Sequence, residues 1–441
     1  MSEKRVVCEL AEWAAGVSKE SIPASALHAA RRLLVDRLAI SLGGYRLIGP
    51  HPTCHLAQQV EGRPAATIWS TGREAFAPYA ALANGSAGDI LELEAGPDCT
   101  ESAFAAAEIA DATLGDLLAA LAIAGEVAGY MRRWLSEPME RHGLHHPAAL
   151  GAYSSATASG RLLGLSSAQL AGALASAGAL APQAPYGAFS AGATGKTLYG
   201  GWPHLVGLWS CLWATQGIAG PATLLEGPQG IAQAMLDAVG AVVPPPFQPA
   251  SNGWEIENVT FKPFPCNRAS HPALTSLSRM GALNPNEIES VRVDTYPYAV
   301  ELDRRSRGNS PIAAQVSVRK TVSLYLALGG LEPGHSHTPA NLADPLVTDL
   351  AGKVTVELDP AYSGEGPRVR GALVTVKLKD GRILEERTNE PKWGSSNPAT
   401  DAELADRFHR LVAGSASPIP LLKMDLWECP QDTPIRMLVR S

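Results

Sequence analysis

Charge is scarce in this 441-residue chain: only 18% of its residues are Asp, Glu, Lys or Arg. What there is leans acidic, with a formal net charge of −7 and a pI near 5.9. A nucleic-acid binder carries a basic stripe, so that class is excluded. A disordered chain is highly charged and poor in apolar residues, so disorder is excluded as well. Cysteine is also sparse. Cys8, Cys54, Cys99, Cys211, Cys266 and Cys429 are scattered without a CxxC pair. That spacing suits neither a zinc knuckle nor a disulfide framework, and a reduced, cytoplasmic protein is expected. Long apolar runs are missing. Residues 117–124 (LLAALAIA) fall far short of the roughly 20 residues a membrane span needs. The opening MSEKRVVCELAEWAAG has charges but no apolar h-region, so no secretory signal is expected. No Walker A loop, no GxGxxG after a strand and no GxSxG elbow occurs. Nucleotide-dependent and serine-hydrolase chemistry therefore lack support.

What is present falls into two grammars. The length suggests two or three domains. In the first half, residues 25–42 (SALHAARRLLVDRLAISL) set Leu27, Leu34, Leu38 and Leu42 near the helical period, and Gly43-Gly44 is expected to end that helix. Residues 114–130 read as a second strong helix. Residues 147–163 and 167–180 are rich in Ala, Gly and Ser, which lets helices approach closely. After about residue 263 the pattern alternates. Residues 290–296, 353–358 and 372–378 read as strands, and Lys379-Asp380-Gly381 turns the last into 382–387 as a hairpin. Residues 316–328 read as a helix between them. Thr400-x-x-Glu403 is a capping box opening a helix that Gly414 closes. A mainly α fold follows: a large all-helical domain over 1–262, with 401–441 returning to it, and a smaller α+β domain over 263–400.

Four segments carry chemistry. From residue 162 to 225 the chain has 64 residues, and Lys196 is the only charged one. An unpaired buried ammonium is costly, so Lys196 either tips a loop, finds a partner or lines a polar cavity. In a cavity it would bind a carboxylate or move protons, with desolvation lowering its pKa toward neutrality. The second segment, GLHHP, sets His145 and His146 at a helix start, where N–H groups are free and histidine can cap or act as a base. The third, FKPFPCNRASHP, gathers Lys262, Arg268 and His271 on a stiff loop at the proposed boundary. It is either a rigid linker or the wall of an interdomain cleft. The fourth is acidic, with Asp89, Glu92 and Glu94 followed by Asp98 and Glu101. It is either a solvated turn or a set of groups that orient histidines. His335-x-His337 and His51 with His55 are weaker, because two histidines make no zinc site.

In this order the segments LLVDRLAISLGG, ANG, GLHHPAALG, ATGKTL, FKPFPCNRASH, AAQVSVRK and NEPKWGSSNPATDAELADRF resemble the MmgE/PrpD family over nearly the whole chain. The resemblance implies a helical domain with a smaller α+β lid, an active site between them, a homodimer, and acid–base chemistry without metal or organic cofactor. It implies catalytic roles for His145, Lys196 and His271. The family's acidic motif, NGxxxHxxDFDD, is altered here: Asp89 stands at its histidine and Glu92 at its first aspartate. A later family histidine falls near Glu101 or Ser102. Tyr199 replaces the histidine of KxLH, and Lys320 replaces a tyrosine. Glu92 is thus expected to be catalytic, and Lys262, Arg268, Lys320, Tyr199 and Glu101 to bind substrate, with no metal ligand. The expected activity is that of a lyase, dehydratase or decarboxylase in type, on a small polycarboxylate, with proton transfer beside a carboxylate. An epimerase of an amino- or imino-dicarboxylate and a non-catalytic family scaffold are the rivals. Neither nucleic acid nor membrane is an expected partner.

Overall fold

Ala and Leu at helical spacing favour helices throughout the first half. The computed structural model describes residues 5–63, 65–96, 99–236, 244–306, 308–362 and 370–440, so Asp98 lies outside the described residues. The helices of this half are α1 (Val6–Gly16), α2 (Ala24–Ile48), α3 (Pro52–Gln59), α4 (Ala77–Asp89), α5 (Thr100–Ala110), α6 (Leu114–Arg141), α7 (His146–Leu162), α8 (Ser167–Leu180), α9 (Gly187–Ala191), α10 (Trp202–Thr215) and α11 (Ile231–Leu236). A two-stranded ribbon, β1 (Ala66–Ile68) against β2 (Arg73–Ala75), precedes α4. Thr113 and Ser166 close capping boxes that start α6 and α8. α6 is long and apolar enough to cross a membrane, yet 89% of its apolar window is buried inside the protein. It is the central helix of the first core, against α7 and α2.

The expected stop at Gly43-Gly44 does not occur. α2 runs on to Ile48 and ends at Gly49, whose φ of +110° breaks the helix. The two glycines serve packing instead. A Cβ on Gly44 would lie 1.9 Å from the Ala87 carbonyl oxygen, so only glycine lets α2 press against α4. That contact fixes the end of α4, where the acidic segment begins.

The second half builds a four-stranded sheet, β3 (Ile288–Thr295), β4 (Val354–Leu358), β5 (Ala372–Leu378) and β6 (Ile383–Thr388), in the order β4-β3-β5-β6. β3 pairs parallel with β4 and antiparallel with β5, and β5 with β6 form the expected hairpin with Gly381 at φ +89°. Its helices are α12 (His271–Met280), α13 (Pro297–Arg305), α14 (Pro311–Val316), α15 (Val318–Leu328), α16 (Pro339–Leu342) and α17 (Pro345–Lys353). The helix read over 316–328 forms as one helix that starts two residues later, at Val318. Ser317 leaves helical geometry at ψ 118°, and its hydroxyl caps the Lys320 N–H at 3.3 Å. The alternating Val and Leu of β3 and β5 face a second core with α12 and α15.

The tail then returns. α18 (Asp401–Val412) starts at the Thr400–Glu403 capping box and lies on α2, and α19 (Ile435–Val439) ends the chain nearby. The first core draws on residues up to Phe261 and again from Trp393 onward. The second runs from Cys266 to Leu378 and adds Phe189 of α9. The fold is mainly α with a smaller α+β C-terminal part, and α9 reaches across the seam between the two cores.

Candidate active site

The seam gathers five charged side chains. Asp89 ends α4, and Glu92 follows in a left-handed backbone conformation, φ +53°, that a non-glycine residue adopts at a cost of about 1 kcal/mol or more. That turn swings the Glu92 carboxylate inward, where it is 2% exposed. Facing it is Lys196, on the 3₁₀ segment Thr194–Gly200 that leads into α10. The approach is close because Gly85 and Gly200 lie between. A Cβ on Gly85 would come within 2.4 Å of the Gly200 carbonyl oxygen, and one on Gly200 within 2.5 Å of the Asp89 Cβ. Thr197 pins the same segment through a 2.8 Å contact with Nε2 of His51.

Lys196 is buried, not at a loop tip. Its ammonium pairs with Asp89 at 2.9 Å, donates to the Glu92 carboxylate and reaches the Asp89 carbonyl at 3.4 Å. It also sits 5.0 Å over the Phe189 ring. Lys262 completes the set: it donates to Glu94 at 2.7 Å, to the Glu92 carboxylate at 3.3 Å and to the Glu92 carbonyl at 3.2 Å. Asn267 adds a 3.5 Å contact to Glu92. The returning helix α18 clamps both strands of this arrangement, because Arg407 donates to the carbonyls of Lys262 at 2.8 Å and Leu93 at 3.1 Å. The carboxylates of Asp89, Glu92 and Glu94 lie within 4.8 Å of one another, a spacing a cation can use. Here the two lysine ammoniums sit among those oxygens.

The electrostatics correct one expectation. Burial does push Lys196 down, but Asp89, Glu92 and Glu94 together outweigh it and hold the amine well above the ordinary lysine value. Lys196 is a fixed ammonium. For Glu92 burial pushes upward, but Lys196 and Lys262 prevail and keep it ionised. Asp89 goes the other way. Burial, helped by the charges of Glu94 and Glu92, overrides Lys196 and raises its carboxyl to about 8.

Histidines border the cluster. His145, the N-cap of α7, is enclosed by Phe189 at 4.8 Å, Tyr186 at 5.5 Å and Tyr199 stacked at 5.9 Å. Its Nδ1 is buried and has no hydrogen-bond partner. Burial, then the charges of His146 and Lys196, keep it well below the usual histidine value, so it is a neutral imidazole at neutral pH. Tyr199 is anchored by its hydroxyl to the Pro185 carbonyl at 3.0 Å. His271 starts α12, is 1% exposed, and makes a 3.1 Å contact from Nε2 to the Cys266 carbonyl. That carbonyl can only accept, so Nε2 carries the proton. Burial, then Arg268 and Lys262, lower this histidine too.

The structure thus brings His145, Lys196, Glu92, Lys262 and Tyr199 together, with His271 and Arg268 on the adjoining loop. Two candidates lie elsewhere. Glu101 is fully buried within the helices, where Arg37 donates to it at 2.6 Å and Nε2 of His204 lies at 3.0 Å. Both carboxylate oxygens are committed, so it is not positioned to bind substrate. Lys320 turns away to the Gly308 carbonyl and to Asn309 at 3.2 Å. One residue was undervalued. His337 is 9% exposed, its Nε2 has no partner, and the Glu92 charge acts on it against the burial that lowers it to about 4. Gly334, three residues earlier, packs against Leu47 at the end of α2, so this loop of the α+β part reaches the helical part. Read only as half of a His-x-His metal pair, His337 gave no other signal in the sequence.

A helical unit and an α+β unit meet at a cluster of lysines, carboxyl groups and imidazoles. The chain belongs to the MmgE/PrpD family: the MmgE/PrpD N-terminal domain matches residues 8–241 and the C-terminal domain residues 264–419. It is similar to a cis-aconitate decarboxylase from Aspergillus terreus, 23% identical over 448 aligned positions that cover 93% of this chain and 90% of the relative. A cis-aconitate decarboxylase-like protein, oryM, from Aspergillus oryzae is 24% identical, with 93% and 91% covered.

Proposed function

We propose that this protein is an acid–base lyase of the dehydratase or decarboxylase type, acting on a small polycarboxylate without metal or organic cofactor. The family and the decarboxylase relatives support the reaction class. The observation that carries the reading is the neutral His145 imidazole, whose Nδ1 has no hydrogen-bond partner among the described residues, beside the Lys196 ammonium. In the elimination form, His145 takes the proton from a carbon next to a carboxylate. The electron pair moves into that carboxylate, and the enediolate charge is met by Lys196. The pair then returns to form the double bond as the leaving group departs, protonated by a second group. The Asp89 carboxyl, raised to about 8, holds a proton at neutral pH and can give it, whereas His271 and His337 are neutral and can do so only after taking one up. Closure of the α+β part as a lid and a homodimeric assembly in the cytoplasm belong to the same reading.

A second reading rests on the number of acidic side chains. Three carboxyl groups, the ionised Glu92, Glu94 and the protonated Asp89, face two lysines. An acid-rich wall suits a substrate that carries a nitrogen, as in an epimerase of an amino- or imino-dicarboxylate.

Proton NMR in deuterated water separates the readings. The enzyme meets di- and tricarboxylic acids, including cis-aconitate and hydroxy- and amino-substituted acids, with Lys196→Ala as control. New olefinic signals that Lys196→Ala does not produce are expected. Loss of an α-proton signal without an olefin would replace the lyase by the epimerase. Silence across the panel would leave a non-catalytic scaffold.

A further inference from the structure

The lysines of the cluster are already matched by carboxylates, so a substrate with several carboxylates needs positive charge from another wall. That wall lies at the start of α13. Tyr296, its N-cap, is 7% exposed, and its hydroxyl is buried and has no hydrogen-bond partner among the described residues. Arg370 arrives there from the chain just ahead of β5. Thr295 pairs with Ala372, and the Thr295 hydroxyl donates to the Gly371 carbonyl at 2.8 Å. Arg370 stands two residues before Ala372, just outside the ladder, and its charge acts on both Tyr296 and Arg268. Arg268 comes from the other side, on the 3₁₀ turn Arg268–Ser270 that packs against α13.

Among the described residues, neither Arg268 nor Arg370 has a carboxylate in ion-pair range. Arg268 makes one hydrogen bond, to the Thr260 carbonyl at 2.6 Å. Burial, and then the charge of Arg370, bring Arg268 down to about 10. Two guanidiniums that repel each other beside an unpaired buried hydroxyl ask for an anion between them. The carboxylates whose charges reach this wall are held by other groups: Glu94 by Lys262 at 2.7 Å, Asp36 by Arg407 at 3.3 Å, and Glu140 by Nε2 of His146 at 3.2 Å. The wall is continuous with the cluster: Tyr296 stacks on Tyr298 at 6.4 Å, Tyr298 meets Tyr186 at 6.1 Å, and Tyr186 meets His145 at 5.5 Å.

We propose that Arg268, Arg370 and the Tyr296 hydroxyl form an anion subsite for the substrate carboxylate farthest from the reacting carbon. The assignment rests on the polycarboxylate reading above. It makes the substrate a di- or tricarboxylate long enough to reach from His145 past Tyr186 to α13. Arg370 is exposed, so replacing it leaves the core intact.

Calorimetric titration tests the subsite without turnover, using tricarballylate as the tricarboxylate probe and butyrate as the monocarboxylate probe. Arg370→Gln should weaken tricarballylate about tenfold, the value of one charge-assisted hydrogen bond, and leave butyrate within about twofold. Tyr296→Phe should weaken tricarballylate by about threefold to fivefold. Equal tricarballylate affinity in wild type and Arg370→Gln, with unchanged circular dichroism, would overturn the subsite, as would a wild type that binds no tricarballylate. If Arg370→Gln loses tricarballylate while no acid is turned over, the subsite stands and the lyase reading falls. Turnover of a polycarboxylate with unchanged binding in Arg370→Gln sinks the subsite alone.

Discussion

Two of the buried charge clusters among the described residues of the helical part invite comparison, and only one borders the seam between the cores. In the first, Glu101 holds Arg37 and His204 with both oxygens, and Ser41, Ser102 and Ser155 line the same group. It is enclosed by α2, α5, α7 and α10, with Gly85 packed between the His204 ring and the Gly200 carbonyl. In the second, Lys196 and Lys262 meet Asp89, Glu92 and Glu94 at the seam between the cores, beside His145 Nδ1 and His337 Nε2, which have no hydrogen-bond partner among the described residues. Both are buried and both shift the pKa values of their members. Burial and charge therefore do not identify a site; unfilled hydrogen-bonding capacity next to a seam does.

The comparison is breakable by substitution. The largest effect is expected from Lys196→Met, which should cut turnover about a thousandfold or more, as loss of a charge aimed at the transition state does. His145→Gln should follow, at about a hundredfold to a thousandfold in initial rate, with substrate binding largely kept. In the other cluster the cost appears in stability. Glu101→Gln leaves Arg37 and His204 without their anion inside the core. It should lower unfolding stability by about 3 kcal/mol in a urea titration, with turnover of the folded fraction within a few-fold of wild type. If Glu101→Gln instead lost turnover while remaining stable, the contrast between the clusters would collapse.

Acid and base sharpen the same contrast, because the two clusters respond to pH with opposite sign. Glu101 is pushed up by burial, but Arg37 and His204 carry it down from 4.5 to about 2. Its contribution is present above the unfolded value and disappears as pH falls through the folded one. Asp89 rises from 3.8 to about 8, so its folded form keeps a proton that the unfolded chain releases. That contribution is complete below pH 3.8 and is lost as pH rises through about 8. Denaturation midpoints between pH 4 and 9 should therefore fall less with rising pH in Asp89→Asn than in wild type. An unchanged slope would mean that Asp89 is ionised in the folded protein. The smallest effect belongs to Lys320→Ala. With its amine on the Gly308 carbonyl and Asn309, turnover should stay within about twofold and stability within about 0.5 kcal/mol.

Much of this was legible in the sequence, for reasons that particular residues show. Lys196 stood out because a lone charge in 64 residues must be explained, and Glu92 because it lies in the segment that proved to face it. The hairpin and the Thr400 capping box are local signals, and they formed as read. Gly43-Gly44 misled because the glycine signal for a helix end is also the signal for close packing, and only the neighbouring helix decides. The Lys196 pKa was misjudged because desolvation is readable from composition whereas three carboxylates around one amine are not. Glu101 was grouped with Glu92 by proximity in sequence, but α5 turns it into a different interior. His337, Tyr296 and Arg370 reach the seam through loops and the ends of strands, which pattern alone does not place.

The most direct test of the central claim is one side-by-side measurement: proton NMR in deuterated water on a panel of polycarboxylic acids, with wild type, Lys196→Met and Glu101→Gln at equal folded concentration. The account predicts conversion by wild type, conversion by Glu101→Gln within a few-fold of it, and none by Lys196→Met. Conversion by Lys196→Met at the wild-type rate would contradict it.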